Sequence, residues 1–390
     1  MRVCFETFGC RLNRAEALQM EADYVAAGWT VVKTHADADL VVVRGCSVTH
    51  RAERDTLALI SRLMAKYPFL KIHATGCIRL PASQQTSVPH SFLVEPTDAV
   101  PTSTSRAYLK VQDGCSGKCT FCIVPQFRGH SVSVGFDDIL AKASRFVEAG
   151  YHEIVVTGCN LSLYASGGKR LPDLLDALAS LAPDVRVRLG SLEPGVCDAE
   201  VVDVIARRSN LCRFLHLPIQ SGSPSILRAM GRPYDRRAVD ETLRLIAERL
   251  PGAGLGCDLM TGFPREGELE FAATRALLER NPFTNAHVFP YSERPKTSAE
   301  LMGSGVAPEV RKYRARKLSE IATGMRRAAA RRFVGQVVEI VVESESPVAG
   351  WTSEYFWCEL GSKAVKAPRR SLLKVRVTGV EHGILRGVPA

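Results

Sequence analysis

Three cysteines within eight residues constrain this chain more than any other feature. They are Cys115, Cys119 and Cys122, in the run Asp113-Gly114-Cys115-Ser116-Gly117-Lys118-Cys119-Thr120-Phe121-Cys122. Thiolates spaced C-x3-C-x2-C converge on one soft-metal centre. Three is one short of the four that close a 4Fe–4S cluster, so one iron keeps an open position where a small molecule can bind and react. Zinc is a second reading, with His130 the nearest further donor to complete four ligands. Free thiols are the third.

The cysteine count supports metal or redox chemistry. The chain carries 12 Cys, and the segment Met1–Glu6 reads as a short strand without a secretory apolar region. No apolar run is long enough to span a bilayer. The expectation is a cytoplasmic protein with no membrane role, in which cysteines serve chemistry rather than a disulfide framework. At 390 residues the chain exceeds one ordinary core, so two or three domains are expected.

The N-terminal part alternates strand and helix patterns. Val3–Phe8, Leu40–Val43 and Lys71–Thr75 read as strands, and Arg14–Ala27 and His50–Tyr67 as helices. That alternation implies a parallel sheet. Each strand runs into the same punctuation, Gly9-Cys10, Gly45-Cys46 and Gly76-Cys77. Ligands of open parallel sheets sit beyond the strand carboxyl ends, so Cys10, Cys46 and Cys77 can share one crevice as a second thiol triad. Three buried thiols are the alternative.

Residues 96–106 are rich in Pro, Ser and Thr and read as a linker. From Ala107 the strand–helix pattern resumes for six units, too few for a closed eight-stranded barrel, so a partial (β/α)6 barrel is expected. Its strand ends present Asn160, Ser191, Glu193, Gln220 and Ser221. After Arg331 short β runs (336–343, 355–359, 364–367 and 373–379) suggest a small barrel of the nucleic-acid-binding sort. Its aromatics Trp351, Tyr355, Phe356 and Trp357 fit either a core or a stacking surface for RNA bases. The formal charge of +10 concentrates on 309–332, a cationic helix suited to phosphates or simply to solvent. The expected fold is therefore α/β: an N-terminal parallel-sheet domain over 1–95, a central partial barrel over 107–328 and a small C-terminal β-barrel over 331–390.

Together these motifs resemble a known family. Cys115, Cys119 and Cys122, with Phe121 before the last Cys, resemble the radical S-adenosylmethionine superfamily. Cys10, Cys46 and Cys77 resemble the second-cluster triad of its methylthiotransferases. The most specific stretches are Thr7–Asn13, Cys122-Ile123-Val124-Pro125, His216–Gly222 and Gly262-Phe263-Pro264. The C-terminal segment resembles the small RNA-binding TRAM barrel. Phe8–Asn13, Val156–Leu161, Leu192-Glu193-Pro194 and Gly350–Tyr355 look most like the branch that modifies threonylcarbamoyladenosine in tRNA. Other branches act on isopentenyladenosine in tRNA or on an aspartate of a ribosomal protein. The chain departs from the family at Arg44-Gly45, Ile78-Arg79-Leu80 and His130–Ser133.

The resemblance implies two 4Fe–4S clusters and S-adenosylmethionine as cofactors. Cys115, Cys119 and Cys122 would hold the cluster whose open iron chelates S-adenosylmethionine and releases a 5′-deoxyadenosyl radical. Cys10, Cys46 and Cys77 would hold the cluster that carries the transferred sulfur. Phe121 would pack near the adenine, with Asn160, Ser191, Glu193, Gln220 and Ser221 as further cofactor contacts. The partners implied are tRNA, an electron donor such as a flavodoxin or ferredoxin, and a sulfur donor. No side-chain general base is required, and none is assigned.

Overall fold

The computed structural model describes every residue except 86–87, 304 and 362–364. The N-terminal region is a four-stranded parallel sheet in the order β2-β1-β3-β4. Its elements are β1 (Arg2–Thr7), α1 (Arg11–Ala26), β2 (Thr30–Val31), β3 (Leu40–Cys46), α2 (His50–Lys66) and β4 (Lys71–Cys77). β3 is central and buried along its whole length, which is why it reads as a continuous apolar run. Val3, Leu40 and Val42 pack with Tyr24 of α1 on one face. Cys4, Val41 and Val43 pack with Leu59, Ile60 and Leu63 of α2 on the other. β3 and β4 extend to their cysteines, beyond the expected ends at Val43 and Thr75.

The central region begins with β5 (Ala107–Lys110), β6 (Gln112–Asp113), α3 (Val124–Arg128), β7 (Val132–Ser133), α4 (Phe136–Glu148) and β8 (Glu153–Thr157). A small ribbon of β9 (Ala165–Ser166) and β10 (Lys169–Arg170) follows, then α5 (Leu171–Leu181), β11 (Arg186–Leu189) and α6 (Ala199–Arg207). It ends with β12 (Phe214–Gln220), α7 (Pro224–Ala229), α8 (Arg236–Arg249), β13 (Gly254–Thr261), α9 (Glu268–Arg280), β14 (Asn285–Pro290) and α10 (Pro308–Arg331). β5, β8 and β11 form one parallel sheet and β12, β13 and β14 another. Parallel bridges Val187↔Leu211 and Ser191↔His216 join the halves, giving six strands in chain order around an open barrel. The register of β12 on β13 shifts between Leu217 and Gln220, where Pro218 has no N–H for the ladder.

β15 (Val337–Glu345), β16 (Val348–Thr352), β17 (Trp357–Leu360), β18 (Leu372–Glu381) and β19 (Ile384–Pro389) close the C-terminal barrel in the order β15-β16-β17-β19-β18. Two of these, β16 and β19, are not among the strands expected from sequence. The run expected over 364–367 begins outside the described residues, and 365–367 is not a strand.

Three expectations change with the structure. Residues 96–106 are not a free tether. Thr104, Ser105 and Arg106 are buried, Arg369 and Arg370 donate to the carbonyls of Ser103 and Thr104, and the Tyr151 hydroxyl reaches Pro101. The aromatic cluster also divides. Phe356 is in the small barrel's core. Tyr355 stacks between Trp351 at 4.4 Å and Phe214 of β12 at 4.8 Å, and its hydroxyl accepts from Arg11 of α1 at 2.7 Å. It is a plug touching all three regions, not an exposed stacking platform.

The basic helix changes as well. Arg311 and Arg314 of α10 are buried on Glu293, Glu266 and Glu268, so part of the charge there is structural. Among the described residues no helix is long and apolar enough to cross a membrane.

Glu153 anchors the junction between the central strands and the small barrel. It is fully buried, with Arg188 Nε at 2.8 Å and Arg186 Nε at 3.0 Å. The outer nitrogens of Arg188 donate to Thr352 and Ser353 carbonyls at 2.8 and 3.0 Å. Burial pushes the Glu153 carboxyl up, but the charges of Arg188 and Arg186 outweigh it and hold the group well below the carboxylate range. Its contribution to stability is thus present above the ordinary carboxylate pKa of about 4.3 and lost as pH falls further. Glu153→Gln leaves two buried guanidinium groups short of charge and is expected to cost about 3–5 kcal/mol. Thermal melts at neutral pH check this, and the gap to wild type should narrow in acid.

Candidate functional site: two thiol triads and their arginines

The N-terminal triad is built by three strand ends. β3 and β4 finish on Cys46 and Cys77, which face each other in register. β1 finishes at Thr7, and Cys10 then starts α1 in extended conformation. Gly9 makes that turn at φ 93°, and a Cβ there would lie 2.6 Å from Cys46 Cβ and 2.8 Å from its sulfur. No other residue fits so close a backbone approach. Asn13, fully buried, pins two of the turns by donating to the carbonyls of Phe8 at 2.9 Å and Gly45 at 2.8 Å. Burial raises the Cys46 and Cys77 thiols; at Cys77 the Arg128 guanidinium pulls the other way.

The second triad lies on the loop between β6 and α3. Gly114 enters it at φ 64°, where a Cβ would lie 1.9 Å from the His130 carbonyl oxygen. The Cys115 amide donates to the Gly129 carbonyl at 3.1 Å, closing the loop on itself. The sulfurs of Cys115 and Cys119 lie 3.2 and 4.0 Å from one point, the position a Cβ on Gly117 would take. Burial pushes the Cys122 thiol up to about 11, with the Cys119 and Cys115 thiols adding to it. His130 is exposed, and its backbone carbonyl abuts Gly114.

The donor sets fit clusters better than single ions. Among the described residues, the one set of three such ligand atoms within 4.8 Å of one another is Cys4, Glu6 and His35. The triads are spread wider. A lone zinc holds its sulfurs at about 2.3 Å and so draws them together, whereas cluster cysteines ride on separate irons.

Each triad also has an arginine that sequence reading did not assign. Arg232 donates to the Cys119 sulfur at 3.0 Å and to Glu193 Oε1 at 2.9 Å. Arg128 donates to the Cys77 sulfur at 3.0 Å. The expected cofactor residues are not placed alike. Glu193 faces the Cys119 side through Arg232, and the Gln220 side chain is buried with its Oε1 unpartnered. Phe121 packs edge-on to Phe263 at 6.3 Å. Asn160 and Ser221 spend their side chains locally: Asn160 caps the turn at Ser162, and the buried Ser221 hydroxyl sits between Thr274 and the Ser223 amide. Ser191 is exposed and bridges to β12 through its backbone.

Comparison with known proteins matches this layout. Residues 109–278 match the radical SAM superfamily model, and residues 2–91 match a family described as uncharacterized protein family UPF0004. The tRNA-2-methylthio-N(6)-dimethylallyladenosine synthase of Chlorobium luteolum is 32% identical, over 88% of this chain and 86% of that protein. The chain belongs to the radical S-adenosylmethionine methylthiotransferase family. The threonylcarbamoyladenosine tRNA methylthiotransferase MtaB of Bacillus subtilis is 29% identical, over 90% of this chain and 89% of its own. In fold, the chain resembles the radical S-adenosylmethionine methyltransferase TsrM of Kitasatospora setae, at TM-score 0.54 and 13% identity over 79% of each chain. The protein is therefore a radical SAM methylthiotransferase whose cofactors are S-adenosylmethionine and two 4Fe–4S clusters.

Proposed function

We propose that this methylthiotransferase acts on threonylcarbamoyladenosine in tRNA, adding a methylthio group at carbon 2 of the adenine near the anticodon. Arg79 carries this reading. It lies two residues beyond Cys77, is exposed, and reaches toward α3, with Gln126 Oε1 at 3.4 Å and the Phe127 ring at 5.2 Å. A cation at the lip between the two thiol triads suits the carboxylate of a threonylcarbamoyl group and has nothing to pair with on an apolar isoprenoid. The resemblances of Phe8–Asn13 and Gly350–Tyr355 point the same way. A second reading, dimethylallyladenosine, is favoured by the 32% identity to the Chlorobium protein.

In this reading Cys115, Cys119 and Cys122 hold the radical cluster, and Cys10, Cys46 and Cys77 hold the second. S-adenosylmethionine supplies the one-electron chemistry that an unactivated aromatic C–H bond demands and acid–base groups cannot provide. The side chains do the positioning. Gln220 Oε1 is the buried acceptor open to the cofactor, Glu193 aims Arg232 at the Cys119 sulfur, and Phe121 supplies an apolar wall. Asn160, Ser191 and Ser221 shape the strand ends beneath it. The exposed cations of α10, among them Lys312, Arg327 and Arg331, suit a phosphate backbone. A small electron carrier such as a flavodoxin or ferredoxin and a separate sulfur donor complete the cycle.

The test is nucleoside mass spectrometry of tRNA from a host lacking its own enzymes of both tRNA branches, with and without this chain. Methylthiolated threonylcarbamoyladenosine is expected. Arg79→Leu should lower that product by about tenfold, the cost of one lost charge-assisted hydrogen bond. Methylthio groups on dimethylallyladenosine alone would install the second reading.

A further inference from the structure

Arg128 belongs to the radical-cluster segment, at the end of α3 beyond Cys122, yet its Nε contacts the other triad. Its five N–H groups all have partners. Nε donates to the Cys77 sulfur at 3.0 Å. One terminal nitrogen donates to Asp113 Oδ1 and Glu16 Oε1, both at 2.9 Å. The other donates to Asn13 Oδ1 at 2.8 Å and Glu16 Oε2 at 2.9 Å. Four oxygens thus fix the plane of the guanidinium and leave one N–H directed at sulfur.

Those oxygens lead into both triads. Asn13 is the side chain that pins the Cys10 and Cys46 turns. Asp113 accepts from the Gly114 amide at 2.8 Å, at the root of the Cys115 loop. Glu16 also accepts from Lys110 at 2.7 Å and pairs with Arg44. Three cations therefore face two carboxylates along this seam, leaving positive charge beside Cys77.

We propose that Arg128 is a positioning residue shared by the two centres, holding the N-terminal cluster against the radical segment and stabilising that cluster's reduced form. The proposal rests on the reading that Cys10, Cys46 and Cys77 hold a cluster. A hydrogen bond and a positive charge on a ligating sulfur favour the electron-richer state and raise the reduction potential. An ordinary structural ion pair would hold the segments together without touching the potential. The contact of Arg232 with Cys119 supplies the internal comparison, since it bears on the radical cluster alone.

The experiment is an anaerobic redox titration followed by electron paramagnetic resonance on the full chain, with iron counted in every sample. The Cys115, Cys119 and Cys122 alanine variant identifies the signal of the N-terminal cluster. Arg128→Gln should keep wild-type iron and shift that cluster's midpoint to a more negative potential. Arg128→Lys, which keeps the charge but loses the fork, should shift it less. Arg232→Gln should move the radical cluster instead. An unchanged N-terminal midpoint in Arg128→Gln, or equal movement of both clusters, would overturn the proposal. Loss of the N-terminal iron in both Arg128 variants would also overturn it, because the role would then be assembly alone. Wild-type protein with iron at one triad only would instead defeat the two-cluster reading itself.

Discussion

Replacing Cys115, Cys119 and Cys122 together by alanine is expected to lower bound iron from about eight to about four atoms per chain, four for each cluster, and to abolish cleavage of S-adenosylmethionine. The loop offers no substitute ligands. His130 is exposed, and the Cys159 thiol is turned toward Asp113 Oδ1 at 3.5 Å. The fold should survive, because the loop is held by backbone contacts, Cys115 to Gly129 and Thr120 to Met230, none of which needs a sulfur. Iron assays and detection of 5′-deoxyadenosine check the two halves of this result. Full iron retention would remove the triad from cofactor binding.

The complementary variant, Cys10, Cys46 and Cys77 to alanine, should separate the two activities. It should also hold about four irons, yet still cleave S-adenosylmethionine, since the radical site lies on another segment with its own arginine and its own loop closure. Methylthiolated product should fall below detection. The two chemistries part because the N-terminal triad is made by strand ends of a different sheet, joined to the barrel loop through Arg128, Glu16 and Asp113. Normal sulfur transfer by this variant would leave the triad merely structural.

What could be read from the sequence follows the range of the interactions involved. The C-x3-C-x2-C loop was legible because its three thiols are close in sequence. The N-terminal triad was legible because strand–helix alternation places Gly9-Cys10, Gly45-Cys46 and Gly76-Cys77 at one end of one sheet. Arg128 and Arg232 were not legible as partners of sulfur, because they reach Cys77 and Cys119 across 51 and 113 residues of chain. Tyr355 sits in a short β-rich segment like any barrel aromatic, and only tertiary packing against Phe214 and Arg11 reveals its place. The charge of α10 misled for the same reason: the acids that neutralise Arg311 and Arg314 come from the segment 266–293. Strands β16 and β19 were missed because both are short and carry glycine, at Gly350 and Gly387, where a propensity reading breaks off.

The most direct test of the account is one reaction with anaerobically reconstituted protein. Purified tRNA bearing threonylcarbamoyladenosine is mixed with S-adenosylmethionine carrying a deuterated methyl group, inorganic sulfide as the sulfur source and a chemical reductant, and the nucleosides are read by mass spectrometry. The account predicts a labelled methylthio group on the adenine from wild-type protein and from neither triple-alanine variant. Wild-type protein that releases 5′-deoxyadenosine and leaves the nucleoside unlabelled would contradict it.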